Sequence, residues 1–247
     1  MLITRVGALI GWLLLSALLH LISLATTRGS TWPRRFLAGV AWIAGVRLNV
    51  VGQPAQTSTL LISNHRSWLD IPVLAAATGC AFVAKDELRG HWLLRWLCKQ
   101  NGTLFIDRAD RRGVGVQARQ VEEGLRRQRP LVLFAEGTVS PLETLLPFRP
   151  PLLAAIAPAP EGVTVRPIAL DYGAAQAFLV WRGGESGVAN FRKVMGRRGR
   201  LNATVHLLAP LPATADRKQL ARAAQAAIED ALALSKAASL PYMQHRS

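Results

Sequence analysis

The chain has 247 residues, half of them hydrophobic, which is enough for one sizeable α/β domain and an appendage. Thirty Lys and Arg against fifteen Asp and Glu give a formal net charge of +15, which calls for an anionic partner such as nucleic acid, a phospholipid surface or a phosphorylated substrate. The two cysteines, Cys80 and Cys98, have no CxxC or histidine spacing, which excludes a disulfide framework and a zinc site and fits a reducing compartment.

In chain order, the first element is apolar. Val6–Thr27 contains no Lys, Arg, Asp or Glu, and as a helix it is about 33 Å long, enough to cross a hydrocarbon core. Leu24-Ala25-Thr26-Thr27 is a poor small-residue cleavage site, which favours a retained segment over a secretory signal. A second apolar stretch, Phe36–Val46, is too short to span. The two stretches suit a helical hairpin turning at Arg28-Gly29-Ser30; a hairpin in one leaflet and a single span both fit. Arg34, Arg35 and Arg47 follow the first segment and predict that the next domain lies on the cytoplasmic face, where they suit anionic lipid. The predicted division is therefore a membrane segment over 1–47 and a catalytic-sized domain over 48–247.

Beyond Leu48 short apolar runs alternate with helical stretches. The predicted strands are Leu48–Val51, Leu60–Ser63, Ala81–Ala84, Thr103–Ile106, Leu131–Phe134, Val165–Leu170, Phe178–Trp181 and Ala203–Leu208. The predicted helices are Pro72–Ala77, Glu87–Gln100, Gly113–Arg127, Pro151–Ala157 and Thr214–Ala238, and Trp181–Arg200 reads as a polar loop or lid. Interleaved strands and helices predict an α/β fold, a mixed sheet flanked by helices.

Chemistry gathers at predicted strand ends. After Leu60–Ser63 come Asn64, His65 and, five residues beyond the histidine, Asp70. A carboxylate that orients an imidazole makes a base for a hydroxyl proton, and imidazole titrates near neutrality. Residues five apart on a regular helix diverge by about 140°, so the pair meets only across a turn or a helix start. Asp70 as N-cap, with Pro72 in the first turn, predicts such a start, and helix capping alone is the competing role for Asp70. Asp107-Arg108 closes the next polar strand end; Arg108 suits bidentate phosphate binding or a surface ion pair. Ala135-Glu136-Gly137-Thr138 forms a compact turn in which glycine lets backbone N–H groups approach an anion, or simply punctuates a turn. Pro167 sits inside an apolar strand, which confines it to a start, an edge or a bulge.

Together these elements resemble the glycerophospholipid acyltransferase family, which includes the 1-acylglycerol-3-phosphate acyltransferases, over roughly residues 48 to 210. Its NHxxxxD motif matches Asn64, His65 and Asp70; its glycine-to-arginine strand motif matches Gly102 through Arg108; its FPEGTRS motif matches Phe134, Glu136, Gly137, Thr138 and Ser140; and its strand proline matches Pro167. Ala135 and Val139 depart from the third motif, whose arginine the family associates with the acceptor phosphate. The resemblance implies acyl transfer from an acyl thioester to a lysophospholipid hydroxyl. Here 1-acylglycerol-3-phosphate is the leading acceptor, giving phosphatidic acid, with Arg149 substituting for the missing arginine. Lyso-ornithine lipid, which has no phosphate, is the alternative. It further implies His65 as general base, worth about 10²–10⁴-fold, Asp70 as its partner, backbone N–H groups near the histidine loop as oxyanion donors, and Arg108, Glu136, Gly137 and Thr138 around the acceptor head. No metal or cofactor is expected; acyl-CoA or acyl-carrier protein is the donor, membrane lipids are the partners, and nucleic acid is not. Trp68 is expected in the core, and Trp92 and Trp96 at the lipid entry.

Three other classes compete. A basic nucleic-acid-binding module would use the arginine runs, but the apolar N-terminus and the lack of a recognised motif oppose it. A serine-nucleophile enzyme lacks its GxSxG. A membrane-shaping protein with a decayed fold would not need an intact His65 and Asp70.

Overall fold

The structure, a computed structural model, describes all residues except 28, 86–89, 91, 107–113, 127–128, 140–143, 182–184 and 240–247. It begins with helices α1 (Leu2–Thr26) and α2 (Trp32–Ile43), then alternates β1 (Val46–Val51), β2 (Thr59–Ser63), α3 (Asp70–Thr78), β3 (Ala81–Lys85), α4 (Trp92–Gln100), β4 (Leu104–Ile106), α5 (Val114–Arg126) and β5 (Leu131–Phe134). A 3₁₀ segment, Pro150–Ile156, precedes β6 (Thr164–Asp171), α6 (Gln176–Leu179), α7 (Gly187–Gly196), β7 (Leu201–Leu207) and α8 (Arg217–Ser239).

The strands form one mixed sheet in the order β1-β7-β6-β2-β5-β3-β4. Every ladder is parallel except β6 with β7. Leu60, Leu61 and Ile62 of central β2 have no exposed surface, because helices cover both faces of the sheet. Side chains alternate between two cores: Leu61, Val132, Phe134 and Ile168 face α2, α3 and α7, whereas Leu60, Ile62, Leu131 and Leu133 face α5 and α8. Pro167 opposes Ile62 of β2 and precedes the β7 ladder, which runs from Ile168 to Asp171, so its missing N–H leaves that ladder whole.

The first two helices form a hairpin packed on the domain. Trp12 Nε1 donates to Phe36 O at 3.0 Å, and the ring lies over Gly39 so closely that no Cβ fits there. Arg5 donates to Met195 O, Arg197 O and Gly199 O at 3.4, 3.0 and 3.2 Å, capping the end of α7. His20 Nε2 meets Gln100 Oε1 of α4 at 2.9 Å. The outward face of α1 is apolar, with Ile3 86% and Leu14 65% exposed, and Trp92 of α4 is 80% exposed. Among the described residues α1 is the one helix long and apolar enough to cross a bilayer.

Two predicted elements are corrected. Phe178–Trp181 is not a strand, because Gln176–Leu179 makes the single turn α6, and the expected lid over 181–200 contains α7. Ser186 Oγ caps α7 by accepting from Ala189 N at 3.2 Å, and Asn190, Val194 and Met195 are buried beneath the sheet.

Arg166, on interior strand β6, ties together chain segments at the side of the sheet away from the central strand ends. From β6 its guanidinium donates to Leu208 O, Leu207 O, Gln53 O and Pro54 O at 2.6, 3.1, 3.1 and 3.3 Å. Arg166→Leu orphans four carbonyls and is expected to lower unfolding free energy by about 2–4 kcal/mol. Urea denaturation checks this, and an unchanged midpoint would contradict it.

Candidate active site

The site stands at the carboxyl ends of three adjacent parallel strands, β6, β2 and β5, where an open α/β sheet offers a crevice. Ser63 of β2 is level with Phe134 of β5 and Ile168 of β6, so the residues following all three strands converge. Asn64 bridges two of them: its Nδ2 donates to Leu170 O at 2.9 Å and its Oδ1 accepts from Leu170 N at 2.8 Å.

The chain then turns around Asp70. The carboxylate has no exposed surface, and its Oδ2 accepts from His65 Nδ1 at 2.8 Å, Arg66 N at 2.5 Å and Ser67 N at 3.0 Å. Asp70 is thus the first residue of α3, after the N-cap Leu69, and its carboxylate faces back over the preceding loop instead of capping the helix ahead. That inverted direction brings residues five apart together. A carboxylate only accepts, so His65 carries its proton on Nδ1, which leaves Nε2 as the ring's acceptor. The imidazole is 17% exposed and stacks on Phe134 at 4.0 Å.

Tyr172, which sequence reasoning missed, completes the group. Its hydroxyl donates to Asp70 Oδ1 at 2.7 Å. Burial first, and then the Asp70 charge, push the phenol well above its ordinary value, so it stays a donor. The signal available was its position, directly after the strand that contains Pro167.

Glu136 differs from the expected headgroup contact. It has no exposed surface, its Oε1 accepts from His65 N at 2.7 Å, and its Oε2 accepts from Leu146 N at 2.8 Å. Burial raises its pKa, opposed by those two N–H groups and by the charge of Arg66. Its geometry is that of a brace between the histidine loop and the segment before Phe148. Arg66, 1% exposed, donates Nη1 to Thr144 O at 2.8 Å in the same layer.

The expected oxyanion donors are also placed differently. The N–H groups of His65, Arg66 and Ser67 all point to Glu136 or Asp70, since carboxylates are the strongest acceptors nearby. Gly137 adopts φ 75° and lies against the Arg149 side chain, whose Cδ would stand 3.4 Å from a Cβ at that position. Thr138 and Arg149 are exposed. Arg108 and Ser140 lie outside the described residues. Trp68 packs on the core against Phe191, and Trp96 lines an apolar cavity behind the site.

Residues 47–171 match the family model described as Acyltransferase. The chain belongs to the acyltransferase family. It is 34% identical over 209 residues to a protein of Pseudomonas aeruginosa named lyso-ornithine lipid O-acyltransferase, covering 81% of this chain and 76% of that one. It is 35% identical over 125 residues to the 1-acyl-sn-glycerol-3-phosphate acyltransferase of Neisseria gonorrhoeae, covering 49% of this chain and 48% of that relative. The crystal structure of the 1-acyl-sn-glycerophosphate acyltransferase of Thermotoga maritima shares the fold, with a TM-score of 0.57 and 21% identity over 80% of this chain and 77% of that one.

Tyr172→Phe leaves one Asp70 oxygen buried without its donor. A hydrogen bond to a charged group contributes about 1.5–3 kcal/mol, so the variant is expected to lose that much stability and about ten-fold in kcat. Paired denaturation and steady-state assays check this; wild-type values in both would show that Tyr172 does not hold Asp70.

Proposed function

We propose that this O-acyltransferase moves a fatty acyl group from an acyl thioester to the hydroxyl of lyso-ornithine lipid. The observation that carries the reading is Val139, an apolar residue where the family motif has the arginine associated with phosphate. The buried guanidinium in the layer of the site does not replace that arginine: Arg66 reaches Thr144 O. The alignment over three-quarters of the Pseudomonas aeruginosa relative supports the same acceptor.

In this mechanism His65 Nε2 takes the hydroxyl proton as the oxygen attacks the thioester carbonyl. Asp70 holds the imidazole and stabilises its charged form. The tetrahedral adduct collapses, the C–S bond breaks, and the thiolate leaves with the proton returned. Asp70, Glu136 and Tyr172 act by positioning. Arg149, exposed beside Gly137, pairs with the ornithine carboxylate, and Thr138 and Arg108 assist at the headgroup. Arg149 also supports a second reading, in which the acceptor is 1-acylglycerol-3-phosphate and this guanidinium pairs with its phosphate. The donor is acyl-CoA or acyl-carrier protein; no metal, cofactor or nucleic acid enters.

We further propose that residues 1–47 lie in one leaflet, with the catalytic domain on the cytoplasmic face. Arg5 and His20 tether α1 to that domain at points about 22 Å apart along the helix. A helix held to one body at both points cannot carry an end across the bilayer while the body stays outside. The exposed apolar face of α1 and Trp92 suit such insertion.

Purified enzyme offered both acceptors is expected to favour lyso-ornithine lipid at least ten-fold in kcat/KM. His65→Ala should cut turnover about 10²-fold or more with the fold intact. Arg149→Ala should raise acceptor KM about ten-fold while sparing donor KM. Faster conversion of 1-acylglycerol-3-phosphate would favour the second reading. For topology, Gly29→Cys in a Cys98→Ser background should react only with a maleimide supplied from the cytoplasmic side; labelling from the opposite side would mean a span.

A further inference from the structure

An apolar cavity of about 160 Å³ lies between the hairpin and the domain. Its walls include Leu13 and Phe36 of the hairpin, Phe82 of β3, and Leu94 and Trp96 of α4. Phe82 stacks on Phe134, which stacks on His65, so one wall leads to the reacting imidazole.

Ser16, His20, Gln100, Asn101 and Thr103 interrupt this apolar lining, and two of them carry buried polar atoms without a partner. Ser16 and His20, 4% and 7% exposed, both line the cavity, and neither Ser16 Oγ nor His20 Nδ1 has a hydrogen-bond partner. They lie four residues apart on one face of α1, so their Cβ atoms are about 5–6 Å apart. Gln100 Oε1 accepts from His20 Nε2, which leaves His20 Nδ1 as a bare acceptor. The pair therefore presents one acceptor and one hydroxyl donor, the complement of an alcohol. A plain methylene chain would leave both unpaired, at about 1–3 kcal/mol each, and a carbonyl would satisfy Ser16 alone.

We propose that this cavity binds a fatty chain carrying a hydroxyl along its length, with Ser16 donating to that oxygen and His20 Nδ1 accepting its proton. Ser16 and His20 are then specificity residues of the acyl-transfer reaction, and the proposal rests on that reading. The chain belongs either to the thioester donor or to the acceptor lipid, there with a hydroxyl other than the one acylated; the chemistry recognised is the same.

The test uses the full-length protein in nanodiscs and begins with binding, which needs no turnover. Stearic acids with the hydroxyl at successive carbons compete with a fluorescent fatty acid, and unsubstituted stearic acid is the reference. At least one position is expected to bind about ten-fold more tightly, and Ser16→Ala should reduce that preference about five-fold without weakening the unsubstituted chain. His20→Leu should act in the same direction, but it also removes the contact to Gln100, so Ser16→Ala is the deciding variant. Kinetics then identify the source: hydroxylated and plain donors with one acceptor, and acceptors with and without a second hydroxyl, besides the one acylated, with one donor, with the KM preference in one arm only. No position preferred by more than two-fold, or a preference unchanged in Ser16→Ala, overturns the proposal. Absence of turnover with every substrate would overturn the acyl-transfer reading instead, and the binding ratios would still decide the cavity.

Discussion

Asp70 is a carboxylate with no exposed surface that receives His65 Nδ1, two consecutive backbone N–H groups and a tyrosine hydroxyl. A buried charge is tolerated only when its lone pairs are met, and meeting them here dictates the path of the chain. Arg66 and Ser67 can both turn their N–H groups toward one oxygen only if the loop after β2 curls around it. The same curl delivers the imidazole. Tyr172 then ties the end of β6 to that point, while Glu136 performs the equivalent service for β5 through His65 N. Two buried carboxylates thus couple three strand ends into one rigid edge, and His65 stays partly exposed because everything behind it is saturated.

Much of this was legible in the chain. Apolar runs bounded by polar residues located every core strand within about two residues, since parallel strands covered on both faces leave a continuous hydrophobic signature. Where the pattern failed, tertiary contacts decided. Phe178 and Trp181 favour a strand by propensity, yet Leu179 is buried beneath α7 and accepts from Asn190. Glycines around 183–199 masked α7, although Ser186 followed by Asn190 and Val194 at helical spacing marked it. Tyr172 escaped because its partner lies 102 residues away, and no local pattern encodes that distance. Glu136 was found by its motif but given the wrong surroundings, because sequence does not reveal that both its oxygens face backbone N–H groups.

The hairpin matters beyond attachment. Arg5 and His20 fix α1 over the domain, and Trp12 locks α2 against it across Gly39. The apolar surface between hairpin and α4 is therefore a built interface. In the proposed one-leaflet placement, a substrate drawn from the leaflet need not be desolvated in the ordinary sense. Only its polar groups require partners, which concentrates selectivity on the few polar atoms the protein offers.

The charge of +15 also takes on a different meaning in the fold. Arg5, Arg129 and Arg166 each gather several main-chain carbonyls, and Arg66 reaches Thr144 O from a site that is 1% exposed. Arginine suits this work because its planar fork carries five donors and stays charged when partly dehydrated. Burial, with Arg34 close by, pulls Arg129 down only to about 10. These side chains gather loop ends; they do not form a patch for a polyanion. Composition counts them alongside exposed arginines, so a net charge read from sequence does not say where those charges sit or what they bind. In the hairpin, exposed Arg35 lies over the Trp32 ring at 4.8 Å, a cation–aromatic contact.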